Sequence, residues 1–275
     1  RQQREFKKIN IKYRPGIRRA AADTACGKTE ETMIFKDINC GYYVQRHPLQ
    51  YACLHDEVAA LADRNQIVAR AIYNYDKASD ANERTRRYAA QSGGKEYPVY
   101  RLMPPCYAEE TFTREQMLRA IGDEHALFRI HPKTYAAPLH VWMYDWMLDV
   151  LTESRTPLLV SLQELDLRDA AAVKEAYPQL RLIITNTDQW LNRQYVRFAQ
   201  YYPEVYFDTC NTIEYYGIEN MTRILGAEKF LFGSYMPEKE PYDKLFQLLY
   251  CELSQEEKEL IAHGNFERLV EERGV

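Results

Sequence analysis

Eight short runs of β-branched and aromatic residues recur along the chain: MIFKDIN (33–39), VARAIYNY (68–75), EYPVYRLM (96–103), HALFRIHP (125–132), PLLVSLQ (157–163), RLIITNT (181–187), EVYFDTC (204–210) and KFLFGSY (229–235). Each has the composition and length of a strand. Between them lie segments of helical period, such as 54–65, where Leu54, Val58, Leu61 and Ala62 form one stripe, and 139–153. Strands that alternate with helices predict right-handed βαβ units and a parallel sheet. Successive runs start 23 to 35 residues apart, room for one strand, one helix and two short loops. Eight such units close a (β/α)8 (TIM) barrel of about 250 residues, which matches residues 32–275. The rival doubly wound sheet commonly carries a Gly-rich first turn, and this chain has 11 glycines and no G-x-G-x-x-G. At the far end, Ser254 and Glu257 have capping-box spacing, opening a helix expected to be interrupted near Gly264.

Residues 1–31 differ. They begin RQQREFKKINIKYRPGIRR, basic, without useful periodicity, and with a Pro15-Gly16 turn. We expect an N-terminal basic arm, either a contact in a homo-oligomer, an anion-binding tail, or a solvated extension. The whole chain carries a net charge of -4, so no concentrated basic face argues for a nucleic-acid or membrane partner. A small metabolite is the expected partner. Six cysteines without a C-x-x-C pair are expected as reduced thiols. No apolar run approaches the roughly 20 residues of a membrane span, and no apolar segment follows the basic start. A cytoplasmic protein is the expectation.

Barrel enzymes place their chemistry at the carboxyl ends of the strands. Those positions here include Asn39, Asn74, Arg129 and His131, Ser161, Asn186, Asp188, Asp208, and Ser234 with Tyr235. His131 titrates near neutral pH and is the candidate acid or base, or else a hydrogen-bonded structural residue. Arg129, two residues earlier, shares its face. It either anchors a carboxylate or phosphate, or pairs internally with Asp208 or Asp188. Those two aspartates are the candidate carboxylate pair. The histidines at 47, 55, 125, 131, 140 and 263 show no H-x-H or H-E-x-x-H spacing. Neither Ser161 nor Ser234 sits in G-x-S-x-G. Many of the 22 tyrosines fall beside loops, where amphipathic rings line pockets or subunit contacts, or simply face water.

IENMTRILGAEKFLFGSYMP followed by LSQEEKELIAHGNFERLV resembles the closing third of amidohydrolase-related barrels. Their last strand ends in G-S-D-x-P, and a Gly-Asn lies near the end of the last helix. MIFKDINCGYY is similar to their opening D-x-H-x-H-x-G strand, and YPQLRLIITN to a later ligand-bearing strand. The resemblance spans about residues 33–270. It implies a metal ion held by histidines and an aspartate that is also the general base. At the matching positions this chain has Asn39 and Gly41 for the H-x-H pair, Ser161, Asn186, and Tyr235 for the aspartate. None supplies imidazole or carboxylate, so no metal and no cofactor is expected. Tyr235 either fills the vacated volume or offers its phenol to a ligand.

The expectation is an amidohydrolase-like barrel that acts as a metal-independent hydrolase on a small organic anion. His131, Asp188 and Asp208 are its candidate catalytic groups, and Arg129, Asn39, Asn74, Ser161, Asn186 and Tyr235 its substrate contacts. Two alternatives stand beside it: a non-catalytic binding or assembly protein, and a metal-dependent hydrolase with relocated ligands.

Overall fold

The computed structural model describes residues 33–46, 52–107, 111–188 and 192–273. The expected arm over 1–31, and His47, lie outside them. All eight expected strands form: β1 (Phe35–Tyr42), β2 (Ile67–Asn74), β3 (Glu96–Arg101), β4 (Leu127–Ile130), β5 (Leu158–Ser161), β6 (Leu182–Thr185), β7 (Val205–Asp208) and β8 (Phe230–Leu231). They pair in parallel in sequence order. The helices α1 (His55–Arg64), α2 (Ala81–Gln91), α3 (Arg114–Glu124), α4 (Val141–Glu153), α5 (Leu167–Ala176), α6 (Asn192–Tyr201), α7 (Gly217–Leu225), α8 (Tyr242–Tyr250) and α9 (Gln255–Glu259) follow the strands. The chain is a single (β/α)8 barrel. Among the described residues no helix is long and apolar enough to cross a membrane, and the five cysteines are free thiols.

Two apolar layers hold the barrel. One lies between strands and helices and includes Tyr42, Tyr100, Phe128, Met147, Leu182 and Phe207. The other fills the lumen with Ile38, Ala71, Val99, Leu127, Leu159, Ile183 and Leu231, one residue from each of seven strands. Period two along a strand sends alternate residues to these two layers. β8 is only two residues long, and the β1–β8 seam closes through backbone hydrogen bonds beyond it. Ile38 N–H donates to Phe232 O at 2.9 Å, Tyr235 N–H to Asn39 O at 2.8 Å, and Gly41 N–H to Met236 O at 2.8 Å.

The last helix starts as expected, with Ser254 Oγ accepting from Glu257 N–H and Glu257 from Ser254 N–H. The expected interruption near Gly264 takes the form of two widened π-helical turns, Leu260–Gly264 and Glu267–Glu271. This segment forms the floor under the lumen: Phe266, Leu269 and Val270 join the lumen core, and Lys36 pairs with Glu267 and Glu271. Asn265, fully buried, fastens the floor to the barrel. Its Nδ2 donates to Ala227 O at 2.9 Å and Phe230 O at 2.7 Å, and its Oδ1 accepts from Arg268. Asn265→Ala strands two buried carbonyls and should cost about 2 kcal/mol, measured as a lowered urea midpoint at unchanged slope.

Candidate functional site

Above the aliphatic ring the lumen becomes polar. The register of β1 against β2 shifts between Asp37 and Cys40, and beyond the shift Asn39 joins the polar groups of the lumen. Its Nδ2 donates to Asp208 Oδ2 at 2.7 Å and to Asn186 Oδ1 at 2.8 Å, while its Oδ1 accepts from Arg129 Nη2 at 2.9 Å. One buried amide thus joins four strands. Asn186 adopts a left-handed φ of 57°, a conformation asparagine tolerates, and its N–H donates to Asp208 Oδ1 at 3.0 Å. Burial pushes Asp208 up to about 6 despite these donors.

Arg129 is nine-tenths buried or more, its Nε has no partner, and among the described residues no carboxylate oxygen stands within 4.0 Å of its guanidinium. The ion pair with Asp208 does not form, because the Asn39 amide stands between the two. Instead Arg129 lies over the Tyr73 ring, 5.2 Å from its centroid. Tyr73 organises the neighbouring strand as well. Arg101 Nε donates to its hydroxyl at 3.1 Å, and the hydroxyl in turn lies 2.8 Å from His131 Nε2. Burial, helped by Arg129 and Arg101, lowers His131 to about 3. His131 is therefore neutral at neutral pH, bonded to the Tyr73 hydroxyl through Nε2.

Tyrosines crowd the rim. Tyr75 packs against Tyr43 (5.4 Å), Tyr73 (5.5 Å) and Tyr235 (6.3 Å). Its own hydroxyl is buried without a partner. A Cβ on Gly41 would meet Tyr75 Cε2 and lie 2.8 Å from Tyr75 Cδ2 and from the Tyr73 carbonyl, so the Tyr75 ring occupies the space a side chain at 41 would enter. Tyr235 holds a left-handed φ of 61°, strained for a residue with a Cβ. The preceding Ser234 explains part of that turn: its N–H and hydroxyl both donate to the buried Asp37, and its Oγ accepts from Met236 N–H.

Of the residues singled out by sequence, Asn39, Arg129, Asn186 and Asp208 converge. Ser161 and His131 border them: Ser161 donates to Gln163, which donates to Asn186 O at 2.8 Å. Asn74 stands apart. It alternates with Tyr73 and Tyr75 on β2, and its Oδ1 accepts from Asp76 N–H. Asp188 lies past β6, where its charge adds to burial and to Glu214 in raising the Tyr195 phenol of α6. Sequence reasoning missed Arg101, Tyr73 and Tyr75. The signal was the same period-two rule that selected Arg129, applied to Val99 on β3 and to Ala71 on β2. Among the described residues no three His, Cys, Asp or Glu side chains converge to hold a metal ion.

No family model matches the chain, and no curated protein matches it. Solved structures do. A 2,6-dihydroxybenzoate decarboxylase complexed with 2,6-dihydroxybenzoate superposes with a TM-score of 0.70 at 12% identity, covering 87% of this chain and 99% of that one. An amidohydrolase II superposes at 0.64 and 16%, covering 86% and 100%. The fold shared with both is the (β/α)8 barrel. An uncharacterized TIM-barrel protein from Bordetella bronchiseptica is similar to this chain too, with a TM-score of 0.63 at 18% identity over 80% of this chain and 84% of that one. At these identities the likeness is one of fold.

Proposed function

We propose that this amidohydrolase-like barrel binds a small organic anion at its mouth, through Arg129 and without the family's metal ion. The observation that carries the proposal is Arg129 itself: a buried guanidinium with an unpartnered Nε and no carboxylate beside it. A buried charge is costly unless something pairs with it, and an incoming carboxylate would do so bidentately. The aromatic carboxylate named for one similar structure supports the same ligand class.

The donor set does not fit a metal. At the positions of the implied H-x-H pair, the Asn39 nitrogen is committed to Asp208 and Asn186, and Gly41 faces the Tyr75 ring. Burial keeps the Tyr235 phenol protonated, and neutral amides and phenols are poor ligands for a transition metal.

Hydrolytic turnover is the second reading, and Asp208 favours it. With a carboxyl near 6, Asp208 has the affinity of a general base working around neutral pH. Both its oxygens are engaged, so base action requires Asn39 to release one.

The test is a thermal-shift screen of the purified protein against benzoate, 2,6-dihydroxybenzoate, short aliphatic carboxylates and phosphate, alongside elemental analysis. A ligand at 100 times its Kd should stabilise by roughly 2.7 kcal/mol, with metal far below one equivalent. Silence towards every anion would leave the barrel as scaffold. One equivalent of zinc would restore a metal-dependent hydrolase with relocated ligands.

A further inference from the structure

Arg129 does not stand alone. Arg101 on β3 is its direct register partner across the β3–β4 pair, on strands roughly 4.8 Å apart. It too is about nine-tenths buried, and among the described residues no carboxylate oxygen lies within 4.0 Å of it. Its bonds go to neutral acceptors, Tyr73 Oη and the Asp76 carbonyl, and its guanidinium lies 5.3 Å from the Tyr135 ring centroid. The acids nearby are engaged elsewhere. Asp208 is held by Asn39 and Asn186, Glu164 by Lys133 and Thr134, and the Asp76 carboxylate by Val44 N–H. Two arginines therefore share one mouth, and among the described residues no carboxylate is in contact with either.

Resting on the anion reading above, the geometry points to a ligand with two anionic groups, a small dicarboxylate, with Arg101 as its second contact. Arg101 donates to the hydroxyl of Tyr73 and lies 5.8 Å from its ring centroid, while Arg129 donates to Asn39 and lies 5.2 Å from that centroid. Heads offset in this way suit two separated carboxylates better than a single phosphorus centre. A monocarboxylate would neutralise one head and leave the other buried and uncompensated, which is the costly arrangement. Arg101 is thus a specificity-determining residue, and the preference it sets is for charge number.

Succinate and butyrate have the same carbon count and differ by one carboxylate. Titration calorimetry at low salt should show the wild-type protein binding succinate about ten- to a hundredfold more tightly than butyrate, the range a charge-assisted contact supplies. Arg101→Met should collapse that ratio to under about threefold while butyrate still binds, whereas Arg101→Lys should keep most of it. Equal affinities in the wild type would overturn the dicarboxylate inference and leave the anion reading standing. Failure of succinate to bind would overturn the dicarboxylate inference, while the anion screen above decides the anion reading. Should Arg101→Met not fold, the wild-type ratio and Arg101→Lys decide: a lysine variant with no preference where the wild type has one would overturn the assignment to charge.

Discussion

Arg129→Met is expected to lose affinity for a small carboxylate by about 30-fold to several thousandfold, the equivalent of roughly 2–5 kcal/mol for one member of a desolvated charge pair, without destabilising the fold. The two halves of this result belong together. The guanidinium is buried, has an unpartnered Nε, and among the described residues donates to the amide oxygen of Asn39 alone. Methionine keeps the stem and part of the volume, removes the desolvated charge, and strands only the Asn39 oxygen. Binding titration and urea denaturation of the same preparation check it. A large fall in stability with unchanged affinity would assign Arg129 to the architecture and withdraw the anion reading.

Gly41→Ala should destabilise by about 3 kcal/mol, at the upper end of what one inserted methyl costs in a packed interior. The new Cβ meets the Tyr75 ring on one side and the Tyr73 backbone carbonyl on the other. The ring can move, but the carbonyl belongs to β2 and cannot. Tyr75→Ala in the same chain should therefore recover part of the loss, and the two substitutions should be non-additive in a double-mutant cycle. Full additivity of the denaturation midpoints would mean that the ring and position 41 do not share one space.

The barrel was legible because each strand is a compact run of β-branched and aromatic residues and each intervening helix carries a stripe, two periods that rarely mimic one another. Strand ends were read too generously. The run 229–235 yields only Phe230–Leu231 as ladder, because Phe232 and Tyr235 join the seam, Gly233 N–H donates to the Thr209 hydroxyl and Ser234 serves Asp37. The site was legible where parity alone decides, as for Arg129 and His131. It was obscure where parity breaks or contact decides. No period announces the register shift of β1, which determines what Asn39 reaches. Nor does spacing reveal that an amide separates Arg129 from Asp208, or that Arg101 sits beside Arg129. Asn74 shows the opposite error: it follows an apolar run, yet it is out of phase with Tyr73 and Tyr75.

Beside the Ser234–Asp37 bonds, the seam between the first and last strands is closed by main-chain groups, donated by Ile38, Tyr235 and Gly41 and accepted at Phe232, Asn39 and Met236. The amidohydrolase resemblance places metal-binding side chains at three of those six residues, 39, 41 and 235. Their seam bonds use the carbonyl of Asn39 and the amides of Gly41 and Tyr235, which any residue but proline supplies. The side chains at 39 and 235 can therefore change one at a time while the same main-chain bonds keep the barrel shut, so closure of the barrel and the chemistry of its mouth are separable.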